Sequence, residues 1–141
     1  MSNFNQLPSE NIAVVGVIDP DAYTAGTHSS GWVDASKFHN FMVIVMAGDL
    51  GSSATLDAKI QHASDSSGTG AEDVTGKAIT QLKQTGTDSN KQVIINLKPE
   101  DLVGSSLSYK EGTSSYFRLV MTISEDTSDA GAIILGVNPR Y

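Results

Sequence analysis

The alternation of apolar and polar positions along the chain predicts a series of short strands. The most hydrophobic segment is residues 41–47, seven consecutive apolar side chains, and a glycine-bounded turn at residues 48–51 follows it directly. The segment is too short to span a membrane, and its Val, Ile and Phe residues favour a strand over a helix. We expect it to be a strand buried on both faces, at the centre of a sheet.

The same pattern predicts further strands at residues 12–18, 54–63, 77–83, 92–97, 115–123 and 132–137. In residues 115–123 the alternation places Phe117, Leu119, Met121 and Ile123 on the inward face. Residues 54–63 also fit a helical period, and their Ala, Lys and Gln content favours helix. We prefer a strand there because a tight turn precedes it, and this places Leu56, Ala58, Ile60 and His62 on one face. Asp19-Pro20-Asp21 predicts a turn that closes the first strand, and residues 22–31 and 64–76 read as loops. Pro99 is placed to begin one helical turn.

About eight strands separated by turn-rich loops indicate the fold class. Strands without intervening helices argue against a parallel α/β fold. The sequence therefore predicts an all-β protein, an antiparallel β-sandwich of jelly-roll or Greek-key type. Residues 11–141 are expected to form a single β-sandwich domain. Residues 1–10 are mostly polar and predict an extended N-terminal arm, which either frays or docks on a neighbouring subunit.

Charge and composition exclude several classes of function. The 141-residue chain has a formal net charge of −7, and no two of its nine basic residues are adjacent. Binding to nucleic acid needs clustered Lys and Arg, so nucleic acid is not an expected partner. The chain has no cysteine, which excludes disulfides and thiolate metal sites. No secretory signal is visible at the N-terminus, so we expect synthesis in the cytoplasm and no membrane partner.

The loop at residues 68–77 superficially suggests phosphate binding. Gly70 and Gly76 are one residue too far apart for a P-loop, and Ala78 stands where the hydroxyl is needed. Carboxylates are also concentrated here and on the strand before it, at Asp57, Asp65, Glu72 and Asp73. They fit either a solvated acidic loop or a cation site, although the regular alternation of a calcium loop is absent.

No catalytic motif emerges from the remaining polar residues. The three histidines, His28, His39 and His62, are far apart in the sequence, and no serine lies in a Gly-x-Ser-x-Gly turn. Trp32, the single tryptophan, is either a packing anchor or a stacking platform for a sugar ring. We predict no catalytic, cofactor-binding or metal-ligating residue and no cofactor, so the chain is not expected to be an enzyme.

Four segments carry a resemblance to a known group of proteins, at residues 32–38, 47–51, 54–60 and 76–82. Together they resemble small structural proteins of the heads of tailed phages and prophages, over roughly residues 12–141. The resemblance implies a virion component, most simply a decoration or cement protein on the outer capsid surface, with the major capsid protein as its partner. A head-tail or spike-base component is the nearest variant of this role.

The resemblance also implies that the protein is noncatalytic and is made in the host cytoplasm. A homo-oligomer, for example a trimer, is compatible with it. The alternative function from the residues themselves is a carbohydrate-binding or host-adhesion module. Five residues are interface candidates on the grounds of an apolar or aromatic side chain near a terminus or a glycine: Phe4, Leu7, Pro8, Trp32 and Tyr141.

Overall fold

A computed structural model of the chain describes residues 7–102 and 115–139. A helical turn, α1 (Pro8–Asn11), precedes ten strands. In chain order these are β1 (Ile12–Tyr23), β2 (Gly26–Ser29), β3 (Val33–Asp34), β4 (Phe38–Ala47), β5 (Thr55–Ala63), β6 (Glu72–Ala78), β7 (Leu82–Lys83), β8 (Gln92–Leu97), β9 (Tyr116–Ser124) and β10 (Ser128–Pro139). Short 3₁₀ turns lie at Ala35–Lys37, Gln84–Gly86 and Pro99–Asp101, the last of which confirms the predicted helical turn.

The strands form two antiparallel sheets. Sheet A has four strands in the order β1-β10-β4-β8, and sheet B contains β2-β9-β5-β6, with β3 also on β9 and β7 also on β5. β2 and β3 both pair with β9, and β6 and β7 both pair with β5, so each of these two pairs can be counted as one interrupted strand. The chain then has eight strands, numbered 1 to 8 in chain order. Sheet A then has the order 1-8-3-6 and sheet B the order 2-7-4-5, which is the double Greek key of a jelly roll. The predicted sandwich is confirmed, and its jelly-roll form is settled.

The core lies between the two sheets and is built on the alternation of each strand. Phe41 of sheet A meets Phe117 of sheet B edge to face, with ring centroids 4.8 Å apart. The four residues expected on one face of residues 54–63 are all buried. Phe117, Leu119, Met121 and Ile123 of β9 point inward as expected. Pairing of β5 with β9 along its whole length decides for strand over helix there.

The central segment differs from its prediction. Residues 41–47 lie in the middle of sheet A between β10 and β8, but they are buried on one face alone. Phe41, Val43 and Val45 are buried, whereas Met46 is 37% exposed. Sheet B covers one side of sheet A, and nothing in the described residues covers the other. The apolar run therefore has one face in the core and a second apolar face on the outer surface of sheet A.

Several segments expected to be loops or turns are paired instead. β1 continues through Asp19-Pro20-Asp21 by a register shift between Ile18 and Asp21, so the turn expected there is a bulge. β2 lies within the predicted loop at 22–31, and β6 begins within the one at 64–76. Residues 8–10, expected to be extended, belong to α1. In β1, β2 and β6, hydrogen bonding to a neighbouring strand outweighs the local preference of the sequence for a loop or turn.

Among the helices of the described residues, none combines the length and the apolar character needed to cross a membrane.

Candidate interaction surfaces

The outer surface of sheet A carries a continuous apolar layer, which we call the apolar face. Its members are Ile12, Val14, Val17, Met42, Ile44, Met46, Ile94, Ile133, Leu135 and Val137. The strand register arranges them in cross-strand rows. Val17, Ile133, Ile44 and Ile94 form one row, and Val14, Leu135 and Met42 form the next, with Asn96 at its end.

The exposure of the apolar face is unusual for a chain without a partner. Val14 is 59% exposed, Ile94 is 54% exposed and Val17 is 46% exposed. None of the ten side chains is charged, although the chain as a whole has a net charge of −7. Contiguous exposed apolar surface of this kind is typical of sites that bind a protein, a membrane or a ligand.

A shallow pocket of about 650 Å³ adjoins the apolar face at the end where β1 is bulged. Pro20, Met46 and Gly131 contribute to its lining. A Cβ on Gly131 would lie 2.9 Å from the Cα atom of Pro20, so the glycine allows the bulged segment of β1 to cross closely over β10. The bulge therefore shapes one border of the face.

The outer surface of sheet B is polar and internally paired. The Arg118 guanidinium donates to Gln61 Oε1 at 3.0 Å, and Gln61 Nε2 donates to Asp73 Oδ1 at 3.0 Å. Lys59 Nζ lies 3.0 Å from Asp73 Oδ2. The hydrogen bond from Gln61, followed by the bond and charge of Lys59, lowers the pKa of the Asp73 carboxyl. These side chains of β5, β6 and β9 therefore supply one another's hydrogen-bond and charge partners.

Trp32 lies beside Arg118 and is held in place by packing. The Cζ atom of Arg118 is 4.6 Å from the centroid of the indole ring. Gly68 approaches the ring so closely that a Cβ there would lie 2.9 Å from Trp32 Cζ2. Gly68 also has a φ of +84°, which suits glycine. Trp32 thereby anchors the loop after β5, as expected for a packing residue.

His62 is the one fully buried ionisable side chain in the described core. Both of its ring nitrogens lack a hydrogen-bond partner, and Nε2 is 3.9 Å from Glu72 Oε2. Burial lowers the pKa of His62, and the neighbouring Glu72 carboxylate opposes this effect in part. The sequence placed His62 on the inward face, but only the cross-strand register shows that it meets Glu72.

The carboxylates weighed as cation ligands do not converge. Asp65 accepts hydrogen bonds from its own loop, including Thr69 Oγ1 at 2.6 Å, and these bonds lower its pKa. Asp57 accepts from Gln81 Nε2 at 2.8 Å. Within residues 7–102 and 115–139, no three His, Asp or Glu side chains are close enough together to hold a metal ion.

The five predicted interface residues are dispersed. Phe4 and Tyr141 lie outside the described residues. Leu7 is 64% exposed and Pro8 is also exposed. Both lie just before β1, which is an edge strand of sheet A. Trp32 lies on the opposite sheet. The sequence analysis missed the apolar face, because the signal for it is exposure on one side of strands that all read as core.

Charge is concentrated at one end of the sandwich, which we call the acidic end. It comprises residues 19–25, 48–54, 83–91 and 125–129, which are the connections that follow β1, β4, β7 and β9 together with the adjoining ends of β1, β7 and β10. These segments contain seven acidic and two basic residues, a net charge of −5. Most of the net charge of the chain therefore lies at this end. Lys37 and Lys98 lie at the opposite end of sheet A, where β4 begins and β8 ends, together with Glu10, Glu100 and Asp101, so that end is close to neutral.

No protein-family model matches the sequence, and no curated protein sequence is significantly similar to it. A chain in the structure of infectious bursal disease virus (Gx strain) has a similar fold, with a TM-score of 0.50 and 9% identity. The match covers 90% of this chain but 32% of the viral one, so this chain spans about a third of its length.

Two weaker structural similarities have TM-scores below 0.5. One is to naturally occurring empty particles of cowpea mosaic virus, at 0.43 and 9% identity, covering 99% of this chain and 90% of the other. The other is to the xylan-binding module CBM15, at 0.41 and 8% identity, covering 90% and 97%. At these identities the comparisons bear on fold alone. The fold is a jelly roll, similar to that of the chain in the infectious bursal disease virus structure.

Proposed function

We propose that this chain is a noncatalytic structural component of a virus particle, a decoration or cement protein that binds the outer surface of a phage head and stabilises it. The apolar face is the observation that carries this proposal. An uncharged apolar surface on a rigid sheet suits contact between proteins, since it offers area without a like-charge penalty. The partners of the chain would be the major capsid protein and further copies of the chain.

The distribution of polar side chains supports a noncatalytic role. The charged groups on sheet B are committed to one another, as in the pairing of Asp73 with Lys59 and Gln61. Catalytic carboxylates and bases are instead held where a reacting group can approach them. The jelly-roll fold and the resemblance of residues 12–141 to phage head proteins agree with an assembly role.

Repetition on a particle makes a modest contact sufficient. Many copies bound to a symmetric lattice gain avidity, so each interface can be weak while the whole layer is held firmly. Leu7 and Pro8, exposed where the chain enters β1, are suited to contact a neighbouring subunit. The polar surface of sheet B then faces solvent.

The test is binding to phage heads that lack the protein. We expect the purified chain to sediment with such particles and to raise the temperature at which they disrupt. An unrelated protein of similar size and net charge is the control. Failure both to bind the particles and to shift that temperature would overturn the proposal. Labelling that places the chain at the head-tail junction alone would assign it to the connector or spike base.

A carbohydrate-binding role is the second candidate, and Trp32 favours it. An indole packed against Arg118, whose guanidinium hydrogen-bonds to Gln61, offers an aromatic ring next to a hydrogen-bonding group, as sugar sites require. Binding on a glycan array that is lost in a folded Trp32→Ala variant would support it. Absence of binding to host surface glycans would reject it.

A further inference from the structure

The apolar face raises the question of what covers it. The ten side chains lie on four neighbouring strands in register, so they form one contiguous layer rather than scattered exposed positions. Beta-branched side chains dominate it, and their restricted rotamers lose little freedom on packing. A matching surface must be contiguous and uncharged. The same face of another copy meets both requirements.

The acidic end constrains how two copies can meet. With the two faces in contact, a two-fold axis running along the strands would stack one acidic end on the other. An axis running across the strands instead places each acidic end over the nearly neutral end of the partner, which carries Glu10, Glu100 and Asp101 as well as Lys37 and Lys98. The two acidic ends are then separated by the length of the face, about 20 Å, which exceeds the Debye length of about 8 Å at physiological salt.

We propose that the apolar face binds a second copy of this chain, sheet A against sheet A, with the two-fold axis running across the strands. This deepens the proposed assembly role, on which it rests for its setting in a particle. In this arrangement the row Val17, Ile133, Ile44 and Ile94 lies close to the axis, and each strand crosses over the same strand of the partner. The two sheets pack at about 10 Å, as in a sandwich core.

The area of the face limits how strong the dimer can be. Four strands at about 4.8 Å and seven residues at about 3.4 Å give a flat area of roughly 450 Å². A standard stable interface buries about 800 Å² on each partner, so this contact belongs to the weak class. We expect a dissociation constant on the order of 100 μM, so that the dimer forms at high local concentration.

Sedimentation of the purified chain tests the contact. From about 10 μM to about 1 mM the weight-average mass should rise from monomer towards dimer. Ile94→Glu and Val14→Glu place charge on the two most exposed positions of the face and should raise the dissociation constant at least tenfold. Thr27→Glu adds the same charge at an exposed position on the edge strand β2 of sheet B and should leave it unchanged.

Cross-linking tests the orientation, because the natural chain has no cysteine. Ile94 and Val17 lie in one row on opposite edges of sheet A. Single-cysteine variants at each position, treated with a bis-maleimide of about 10 Å reach, should each link to their own kind. A mixture of the two, one of them tagged, should give little mixed product. Thr27→Cys supplies the background.

The outcomes separate this inference from the proposed function. A chain that remains monomeric at the highest concentration overturns the dimer, as does a dimer that Ile94→Glu and Val14→Glu leave intact. Mixed cross-links in place of self cross-links overturn the orientation. Particle binding is measured separately, so a chain that binds heads without dimerising refutes this inference alone.

Discussion

Among single residues, His62 shows how far a pattern can lead. The alternation of β5 placed it on the inward face, and it is fully buried there. The alternation could not show that both ring nitrogens lack hydrogen-bond partners. That depends on the side chains around the ring, such as Phe117, which lies opposite His62 on the neighbouring strand β9. A buried histidine in this state favours the neutral form, which lowers its pKa.

We predict that His62 makes the stability of the protein depend on pH. Its pKa is lower in the folded than in the unfolded chain, so the unfolded state binds the extra proton first as pH falls. Stability is therefore full above about pH 6.5 and declines below it, by at most about 1.4 kcal/mol per pH unit. Denaturant unfolding at pH 7 and pH 5 measures this decline.

A matched pair of variants isolates the contribution of His62. In His62→Leu the loss of stability between pH 7 and pH 5 should be smaller than in the natural protein, because the titrating group is gone. His39→Gln, at an exposed position of β4, should retain the natural pH dependence. An equal decline in the natural protein and His62→Leu would contradict this account.

At the scale of elements, the strand at residues 41–47 was located correctly but its surroundings were not. Strand type follows from β-branched composition, which local physics decides. Burial on both faces follows from what lies on each side of a sheet. Sheet B covers the side of Val43 and Val45, and the side of Ile44 and Met46 is the apolar face.

We predict that the same substitution has opposite consequences at adjacent positions of this strand. Val43→Asp buries a carboxylate between the sheets without a partner and should prevent folding. Ile44→Asp places the carboxylate on the outer surface and should leave a folded protein, with a loss of about 1–2 kcal/mol. Circular dichroism and denaturant unfolding distinguish the two, and similar behaviour of both variants would contradict the one-sided burial.

The loops show the limit of local patterns. Residues 72–76 are polar enough to read as a loop, yet they belong to β6 because Glu72 and Asp73 pair with His62 and Gln61 of β5. The Asp-Pro-Asp segment likewise reads as a turn, and β1 accommodates it as a bulge against β10. In each case the partner strand, which is distant in sequence, supplies the deciding hydrogen bonds.

At the scale of the whole molecule, the N-terminal segment is peripheral to the fold. Residues 7–10 are exposed and α1 contains no buried side chain. We predict that deletion of residues 1–10 changes the free energy of unfolding by less than about 1 kcal/mol but weakens binding to particles. Denaturant unfolding and particle sedimentation measure the two effects.

The deletion also separates two kinds of contact. Dimer formation through the apolar face should be largely retained, since Ile12 and the residues after it are still present. A loss of several kcal/mol of stability would instead show that the segment belongs to the core.

The sequence by itself determined the strand content, the inward positions of β5 and β9 and the all-β class, because residue preference and a period of two are local properties. It also determined the charge and the absence of cysteine. The tertiary structure decided which outer surface is apolar and which is polar, since sheet A and sheet B are each assembled from strands far apart in the chain. It also brought most of the net charge, −5 of −7, to one end through four separate segments of the chain. The segment at residues 41–47 contributes to both results: its composition made it a strand, and its neighbours turned one of its faces into core and left the other as part of the exposed apolar face.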